Sequence, residues 1–232
     1  MQSSDLTPLN HLTTALRLRA IALLSFCLAL VAILGGCTAT RDAGPIDRPR
    51  SVREFAKTLG DYREVDFSFN ASPSVALKES GVVALGKLDS LTPLTFEAEM
   101  SEGQPQPKAL LAAIKLEEMV KGDRTDFPDG IIYVHIPISA VIDVDRYVNS
   151  PPIAQVAIVA TTTQPLVEAG RWVSGKDVPA SAIVSAYPDG LWFQGPDDSR
   201  MVGIEADPEQ LPSAWNSPTT VDEYTEQLKQ AR

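Results

Sequence analysis

The clearest fold signal in this chain is the stretch IAQVAIVATT, residues 153–162. It is apolar and rich in β-branched side chains from end to end, which is typical of a strand covered on both faces. A second β-branched run, IIYVHIPI at residues 131–138, carries Pro137 near its end. Because proline removes a donor from a sheet ladder, this second run predicts an edge strand.

Shorter segments extend the β pattern on either side. Val65, Phe67 and Phe69 alternate with polar neighbours, as in a half-buried strand. The run VVAL at residues 82–85 is short, apolar and preceded by glycine. These features predict two further strands.

A hairpin and the overall class follow from the turn residues. Residues 191–193 and 201–204 flank the turn sequence GPDD at residues 195–198, which predicts a hairpin. Many short strands separated by Gly, Pro and Asp turns predict a mainly β fold, either a small barrel or a sandwich. An OB-like arrangement is one form that such a barrel can take.

Helices are predicted at both ends of this domain. Ser51 can cap a short helix that places Val52 and Phe55 on one face, and Gly60 ends it. A C-terminal helix is predicted at about residues 218–231, where apolar residues recur at helical spacing. A signal helix is expected to precede the whole domain.

The segment from Ala109 to Val120 is ambiguous. Good helix formers dominate it, and propensity alone favours a helix. Ile114 and Leu116 nevertheless alternate with charged neighbours, which favours a strand. The residues alone leave both interpretations open.

Four short motifs resemble those of a loosely defined group of exported bacterial domains. The motifs are GVVALGKL at 81–88, IKLEEMVKGD at 114–123, IYVHI at 132–136 and YPDGLWF at 187–193. They are similar to the series VVxGxV, VxxVLKGD, VxV and SPxGxW in that group. The resemblance implies a small β-barrel of the OB or netrin-like kind, with a strand through residues 114–120. It implies no settled activity, and the inhibitor function of netrin-like domains depends on disulfides that this chain lacks.

The N-terminal residues resemble a bacterial lipoprotein signal peptide. Two arginines precede an uncharged apolar segment at residues 20–34, and the sequence LGGC closes it at residues 34–37. The resemblance to a lipobox implies cleavage between Gly36 and Cys37 and transfer of diacylglycerol to the Cys37 thiol. One alternative is an uncleaved membrane anchor, although the apolar segment is shorter than the roughly 20 residues that spanning requires. Ordinary signal cleavage is the other.

Three parts are expected along the chain. They are a signal peptide at residues 1–36, a lipid-anchored flexible tether at 37–50 and a single mostly β domain at 51–232. The expected location is the cell membrane, with the domain facing away from the cytoplasm. Thr38, which follows the lipidated cysteine, leaves the inner and the outer membrane both open.

The charge balance excludes two classes of partner. Removing residues 1–36 takes away Arg17, Arg19 and Asp5, and leaves 18 basic and 29 acidic residues, a net charge of −11. A domain of this charge is not expected to bind nucleic acid by neutralising phosphates. It also offers no polybasic patch for anionic lipid.

Cysteine and histidine are too scarce for several kinds of chemistry. Cys37 and His135 are the only residues of their types after the signal segment. Disulfides, a thiolate nucleophile and zinc sites made of His and Cys are therefore excluded, and a Ser-His-Asp triad would need His135. Ser181 and Ser185 lack the Gly-x-Ser-x-Gly context of a nucleophile elbow. The chain also has no phosphate-binding or dinucleotide-binding glycine motif, so we expect no cofactor.

Two groups of carboxylates are weak candidates for chemistry. Asp123, Asp126 and Asp129 lie in a short acidic loop, but their spacing misses that of a calcium-binding loop and favours a solvated turn. Asp143 and Asp145 lie on one side of a strand-like stretch, as a glycosidase pair would, although a solvent-facing strand is the plainer interpretation.

Aromatic residues supply the candidate partner contact. Trp192 and Phe193 are adjacent in a predicted strand, so their side chains point to opposite faces and Trp192 is the best candidate for exposure. The alternative is a core aromatic beside a half-exposed one. His135 lies between apolar neighbours in a predicted strand and is expected to be structural.

The sequence thus predicts a membrane-anchored lipoprotein whose domain binds a partner without catalysis. The expected partners are membrane lipid, through acylated Cys37, and an unknown protein of the cell envelope. An envelope hydrolase is the first alternative and would need His135 or an aspartate pair in a cleft. A lipoprotein that captures a solute for a transporter is the second and would need a deep apolar pocket.

Overall fold

The computed structural model describes residues 51–60, 67–96, 108–139, 142–162, 172–174 and 178–232. Four α-helices lie in these ranges: α1 Val52–Gly60, α2 Pro73–Glu79, α3 Asp145–Val148 and α4 Val221–Gln230. The strands are β1 Val82–Phe96, β2 Lys108–Lys121, β3 Ile131–Ile138, β4 Gln155–Thr162, β5 Trp172–Ser174, β6 Ile183–Gln194 and β7 Val202–Gly203. The expected signal helix lies outside the described residues.

Five of the strands close into a barrel. Their order is β2-β3-β6-β4-β1, and β1 pairs back with β2. All pairs are antiparallel except β3 with β6, which run parallel where Tyr133 faces Ile183. This circular order with one parallel pair is that of an OB-type Greek-key barrel. The prediction of a mainly β fold with an N-terminal and a C-terminal helix is therefore confirmed, and it is the barrel that forms.

Barrel closure rests on the long strand β1. Its first half pairs with β4, and most of its length pairs with β2. The β1–β2 register shifts at three places, and such irregularities bend a strand and increase its twist. One bent strand can therefore belong to both sides of the closed sheet. Its far end also carries the short extra strand β5.

Gly86 lies in β1 where the backbone of β2 passes close to it. It pairs with Leu116 of β2 and with Val156 of β4. A Cβ atom at this position would lie 2.4 Å from the carbonyl oxygen of Lys115 and 2.8 Å from Cγ2 of Ile114. Both separations are shorter than non-bonded contact allows, so the crossing requires glycine.

The barrel interior is filled by aliphatic side chains and covered by α1. Val134 of β3 and Ile158 of β4 are fully buried in it. Phe55 of α1 makes edge-to-face contacts with Tyr147, at 5.2 Å between ring centroids, and with Phe193, at 5.6 Å. The predicted cap of α1 is confirmed, since Ser51 Oγ accepts the Glu54 N–H at 3.1 Å.

A second apolar cluster lies outside the barrel, between β6 and the C-terminal segment. The rings of Trp215 and Tyr224 stack with centroids 4.7 Å apart and planes 2° apart. Trp192 lies 5.8 Å from Tyr224, and all three side chains are fully buried. Helices α2 and α4 pack in this layer, so the outer face of the sheet is covered here as well as the inner one.

The ambiguous segment from Ala109 to Val120 is a strand. It forms most of β2, and residues 109–114 are buried on both faces. Pairing with β1 and β3 outweighs helix propensity, because differences in propensity are less than about 1 kcal/mol per residue. The predicted hairpin is also confirmed, because β6 pairs with β7 through Trp192–Gly203 and Phe193–Val202.

Two strand predictions are wrong. Phe67 and Phe69 form no strand; their rings pack 5.0 Å apart against the outer cluster, and Val65 lies outside the described residues. Strand β3 is not at an edge, because it pairs with β2 and with β6. Pro137 is tolerated since the pairing with β6 covers residues 133–135, and the proline lies past it.

We expect Gly86→Ala to lower the free energy of unfolding by about 2–3 kcal/mol, because the added methyl group forces β1 and β2 apart. Urea unfolding of residues 37–232 carrying Cys37→Ala, followed by tryptophan fluorescence, measures the change. Ser90→Ala in the same strand serves as control and should stay within about 0.5 kcal/mol. Equal stability of the two variants would contradict the crowded crossing.

Candidate binding groove

A cleft of about 610 Å³ lies at one end of the barrel. There the middle of β1, the start of β4, the end of β6 and the start of α4 come together. Its lining includes Lys87 of β1, Glu117 of β2, Gln155 of β4, Gln194 of β6 and Asp222 of α4. We call this cleft, together with the adjoining one described below, the groove.

Side-chain amides hold the wall of the groove in place. Gln194 Oε1 accepts the backbone N–H of Val221 at 2.9 Å, and its Nε2 donates to the carbonyl oxygen of Asp198 at 2.9 Å. Gln155 Nε2 donates to Asp222 Oδ1 at 2.9 Å. These hydrogen bonds connect the start of α4 to the first residue of β4 and the last residue of β6.

The first turn of α4 is already capped by its own side chains. Thr220 Oγ1 accepts the Glu223 N–H at 3.1 Å, and the Glu223 carboxylate accepts the Thr219 N–H at 2.7 Å and the Thr220 N–H at 3.3 Å. The hydrogen bonds that the Glu223 carboxylate accepts, chiefly those from the backbone and hydroxyl of Thr219, lower its pKa. A carboxylate of this chain therefore occupies the position where an external anion would bind a helix N-terminus.

Ile153 stands between the two parts of the groove. An adjoining cleft of about 210 Å³ shares Pro152, Ile153, Gly195 and Pro196 with the larger one. The Ile153 side chain is 79% exposed, whereas Val75, the other exposed large apolar residue in the described ranges, is 37% exposed. Ile153 belongs to the run that predicted the central strand, but β4 begins after it at Gln155.

Carboxylates line both clefts beside Ile153. Asp89, Glu117 and Asp222 line the larger cleft, and Asp197 and Asp198 line the smaller one. Of the described residues lining the two clefts, Lys87 is the single basic one, and its ammonium pairs with Glu117. The groove therefore carries a net negative charge.

His135 and Ser185 are brought together, as a hydrolase would require. They are register partners in the parallel pair β3–β6, and both line a cleft of about 130 Å³ with Tyr187 and Glu205. Ser185 lies within β6 and pairs on its other side with Thr161 of β4. A backbone paired on both sides has few N–H groups left for an oxyanion, and this differs from a nucleophile elbow.

The acidic loop after β2 forms a solvated turn. Asp123 Oδ1 accepts the N–H of Thr125 at 2.9 Å and its hydroxyl at 2.7 Å, and these hydrogen bonds lower the pKa of Asp123. Asp126 and Asp129 are exposed. Within the described ranges, no cluster of three or more His, Cys, Asp or Glu side chains could hold a metal ion.

The prediction of a strand-like stretch around Asp143 and Asp145 is wrong. Asp145 begins α3, and Asp143 Oδ1 accepts its N–H at 3.1 Å. Asp143 thus closes a local Asx turn just before α3, which the pattern of alternating residues did not reveal.

The predicted partner contact at Trp192 and Phe193 is also wrong. The two side chains do point to opposite faces, but both are fully buried. Phe193 packs inside the barrel against Phe55, and Trp192 packs in the outer cluster near Tyr224. The exposure prediction fails because the C-terminal segment covers the outer face of β6.

Asp189 is the polar residue that sequence reasoning missed. Its carboxylate accepts the Asn70 N–H at 2.6 Å and the Asn70 side-chain amide at 2.8 Å. Its carbonyl oxygen accepts Trp192 Nε1 at 2.7 Å and the Tyr224 hydroxyl at 3.1 Å, and Trp215 Nε1 donates to the Asn70 carbonyl at 2.8 Å. We call these five residues the Asp189 network.

The Asp189 network is structural. Asp189 is 1% exposed, and burial raises the pKa of its carboxyl, while the hydrogen bonds from Asn70 act in the opposite direction. A perturbed carboxyl can mark an active site, but both oxygens of this one are engaged by Asn70. Asn70 is 119 residues away in sequence, so no local signal indicates the pairing.

Comparison with known proteins adds no assignment. The chain matches no protein-family model, no curated protein and no solved structure. In the ranges that the structure describes, no helix has the length and apolar character needed to cross a membrane.

We expect Asp189→Ala to lower the free energy of unfolding by about 2–3 kcal/mol, because two donors of the partly buried Asn70 lose their acceptor and a buried side chain is truncated. Urea unfolding monitored by tryptophan fluorescence measures the loss. Asp126→Ala, at an exposed aspartate, is the control and should change stability by less than about 0.5 kcal/mol. A neutral Asp189→Ala would show that the Asp189 network is dispensable.

Glu223 should contribute a pH-dependent part of the stability. Since its pKa is lowered on folding, its stabilisation is complete above the ordinary glutamate pKa of about 4.3 and is lost as pH falls through the lower folded value. The side chain is exposed, so we expect only a few tenths of a kcal/mol between wild type and Glu223→Gln near neutral pH. Measured from neutral to acidic pH, this difference should shrink; a constant difference would refute the assignment.

Proposed function

We propose that this chain is a lipid-anchored, non-catalytic binding protein of the cell envelope. The observation that carries the binding role is the groove, with Ile153 exposed at its centre and carboxylates around it. A single exposed apolar side chain is common on protein surfaces and needs no explanation. One that lies between two clefts is placed as a central apolar contact of a binding interface would be.

The N-terminal sequence supports the lipid anchor. LGGC at residues 34–37 supports acylation of Cys37, and each buried methylene of an acyl chain contributes about 0.8 kcal/mol. Thirteen residues separate Cys37 from Ser51, a span of at most about 45 Å when fully extended. Ser51 and Val52 line the smaller cleft, so the groove lies beside the point where the tether meets the domain.

An envelope hydrolase is the second candidate, favoured by the shared cleft of His135 and Ser185. Hydrolysis of activated esters by the purified protein, abolished by His135→Gln, would support it. Solute capture has less support, because aliphatic side chains such as Val134 and Ile158 fill the barrel interior.

Membrane attachment is tested by metabolic labelling with radioactive palmitate and by cell fractionation. We expect Cys37→Ala to lose the label and leave the membrane fraction. Cys27→Ala, in the same apolar segment, is the matched control and should behave as wild type. Label retained by Cys37→Ala would refute the anchor.

The binding role is tested by crosslinking in intact cells and recovery of the chain. We expect a stoichiometric envelope protein to be recovered with wild type and Cys27→Ala, and to be lost with Cys37→Ala. Recovery of no partner from membrane-bound wild type would refute the binding role.

A further inference from the structure

We infer that the groove binds a positively charged, extended segment of an envelope protein and holds one of its apolar side chains against Ile153. This inference rests on the proposed function and specifies the chemistry of the partner. Its basis is the shape of the groove, its apolar centre and its charge.

The shape of the groove suits a chain segment. The two clefts, about 610 and 210 Å³, join along Pro152, Ile153, Gly195 and Pro196, so the groove continues past the exposed isoleucine on both sides. A site for a small molecule encloses most of its ligand. Here the central apolar side chain is 79% exposed, and an extended segment can cross it and occupy both clefts.

The apolar centre of the groove lies between buried residues that hold its backbone in place. Pro152 and Ala154, on either side of Ile153, are buried and fix the backbone there. The amide hydrogen bonds of Gln155 and Gln194 fix the opposite wall. An apolar side chain of the partner would therefore meet a surface that needs little rearrangement, which limits the entropic cost of binding.

The charge of the groove selects a basic partner. Of its five carboxylates, Glu117 is neutralised by Lys87, while Asp198 Oδ2 accepts the Gly195 N–H at 3.0 Å. Asp222 also lines the larger cleft, and its Oδ1 accepts the side-chain amide of Gln155. Lysine or arginine on the partner would be attracted, whereas acidic segments would be repelled.

The same charge disfavours the other occupants. A second copy of residues 37–232, with a net charge of −11, would be repelled by the acidic groove. Anionic lipid headgroups would be repelled in the same way, which leaves the groove open beside the membrane for a protein. The N-terminus of α4 does not reverse this preference, because Glu223 and Thr220 cap it.

The test uses the full chain purified in a zwitterionic detergent, so that membrane anchoring does not enter the result. The probe is a short fluorescent peptide in which lysine alternates with leucine or isoleucine. Two further peptides replace lysine by glutamate, or the apolar residues by serine. We expect fluorescence anisotropy to show binding of the first peptide, weakened about tenfold or more by either replacement and reduced by added salt.

Matched variants locate the binding site. Asp197→Asn with Asp222→Asn should weaken binding about five- to tenfold, whereas Asp126→Asn with Asp129→Asn removes the same charge elsewhere and should change it less than about twofold. Ile153→Ser should weaken binding about tenfold, and Val75→Ser, at an exposed apolar residue away from the groove lining, should not. Far-UV circular dichroism confirms that each variant is folded.

The outcomes separate this inference from the proposed function. Equal weakening by the groove and loop variants, indifference to Ile153→Ser, or binding of the glutamate peptide would overturn the inference. Should crosslinking in cells recover a partner whose capture is unchanged by the groove variants, the binding role stands and the groove assignment is wrong. Loss of all partners from anchored wild type would instead refute the proposed function.

Discussion

Double pairing of β1 is the constraint on which the barrel depends. The strand must hydrogen-bond with β2 and β4 at once, and it does so through three register shifts and a glycine where β2 passes close to its backbone. Closure leaves the barrel strands with partners on both sides and gives the aliphatic side chains a continuous interior. The groove also depends on closure, because Lys87 and Asp89 of β1 reach its lining from the strand that closes the barrel.

A second layer is attached to this barrel by polar groups as well as by packing. The Asp189 network joins residues before the first strand, the irregular middle of β6 and the C-terminal helix. Trp192, Trp215 and Tyr224 then complete an apolar layer around these hydrogen bonds. The start of α4, which forms one wall of the groove, is therefore held from two directions: by the Asp189 network through Tyr224 and by Gln194 at its first residue.

Sequence patterns predicted those features whose signals are local. Ser51 and the spacing of Val52 and Phe55 predicted the first helix, the β-branched run predicted β4, and GPDD predicted the β6–β7 hairpin. The burial of Trp192 could not be predicted in this way, since it depends on a helix that follows later in the chain. The groove could not be predicted for a different reason: Ile153 belongs to the apolar run that predicted β4, and its exposure follows from β4 beginning only at Gln155.

The Asp189 network has a consequence for how the chain folds. Asn70 meets partners 119 and 145 residues away, so the outer layer cannot form until the residues around Trp215 and α4 have been made. Contacts between such distant residues slow folding, because a long loop must be closed before they are gained. A chain of this design stays incompletely folded through most of its synthesis. Under the export proposed above, this delay would give the chain time to cross the membrane before its native fold forms.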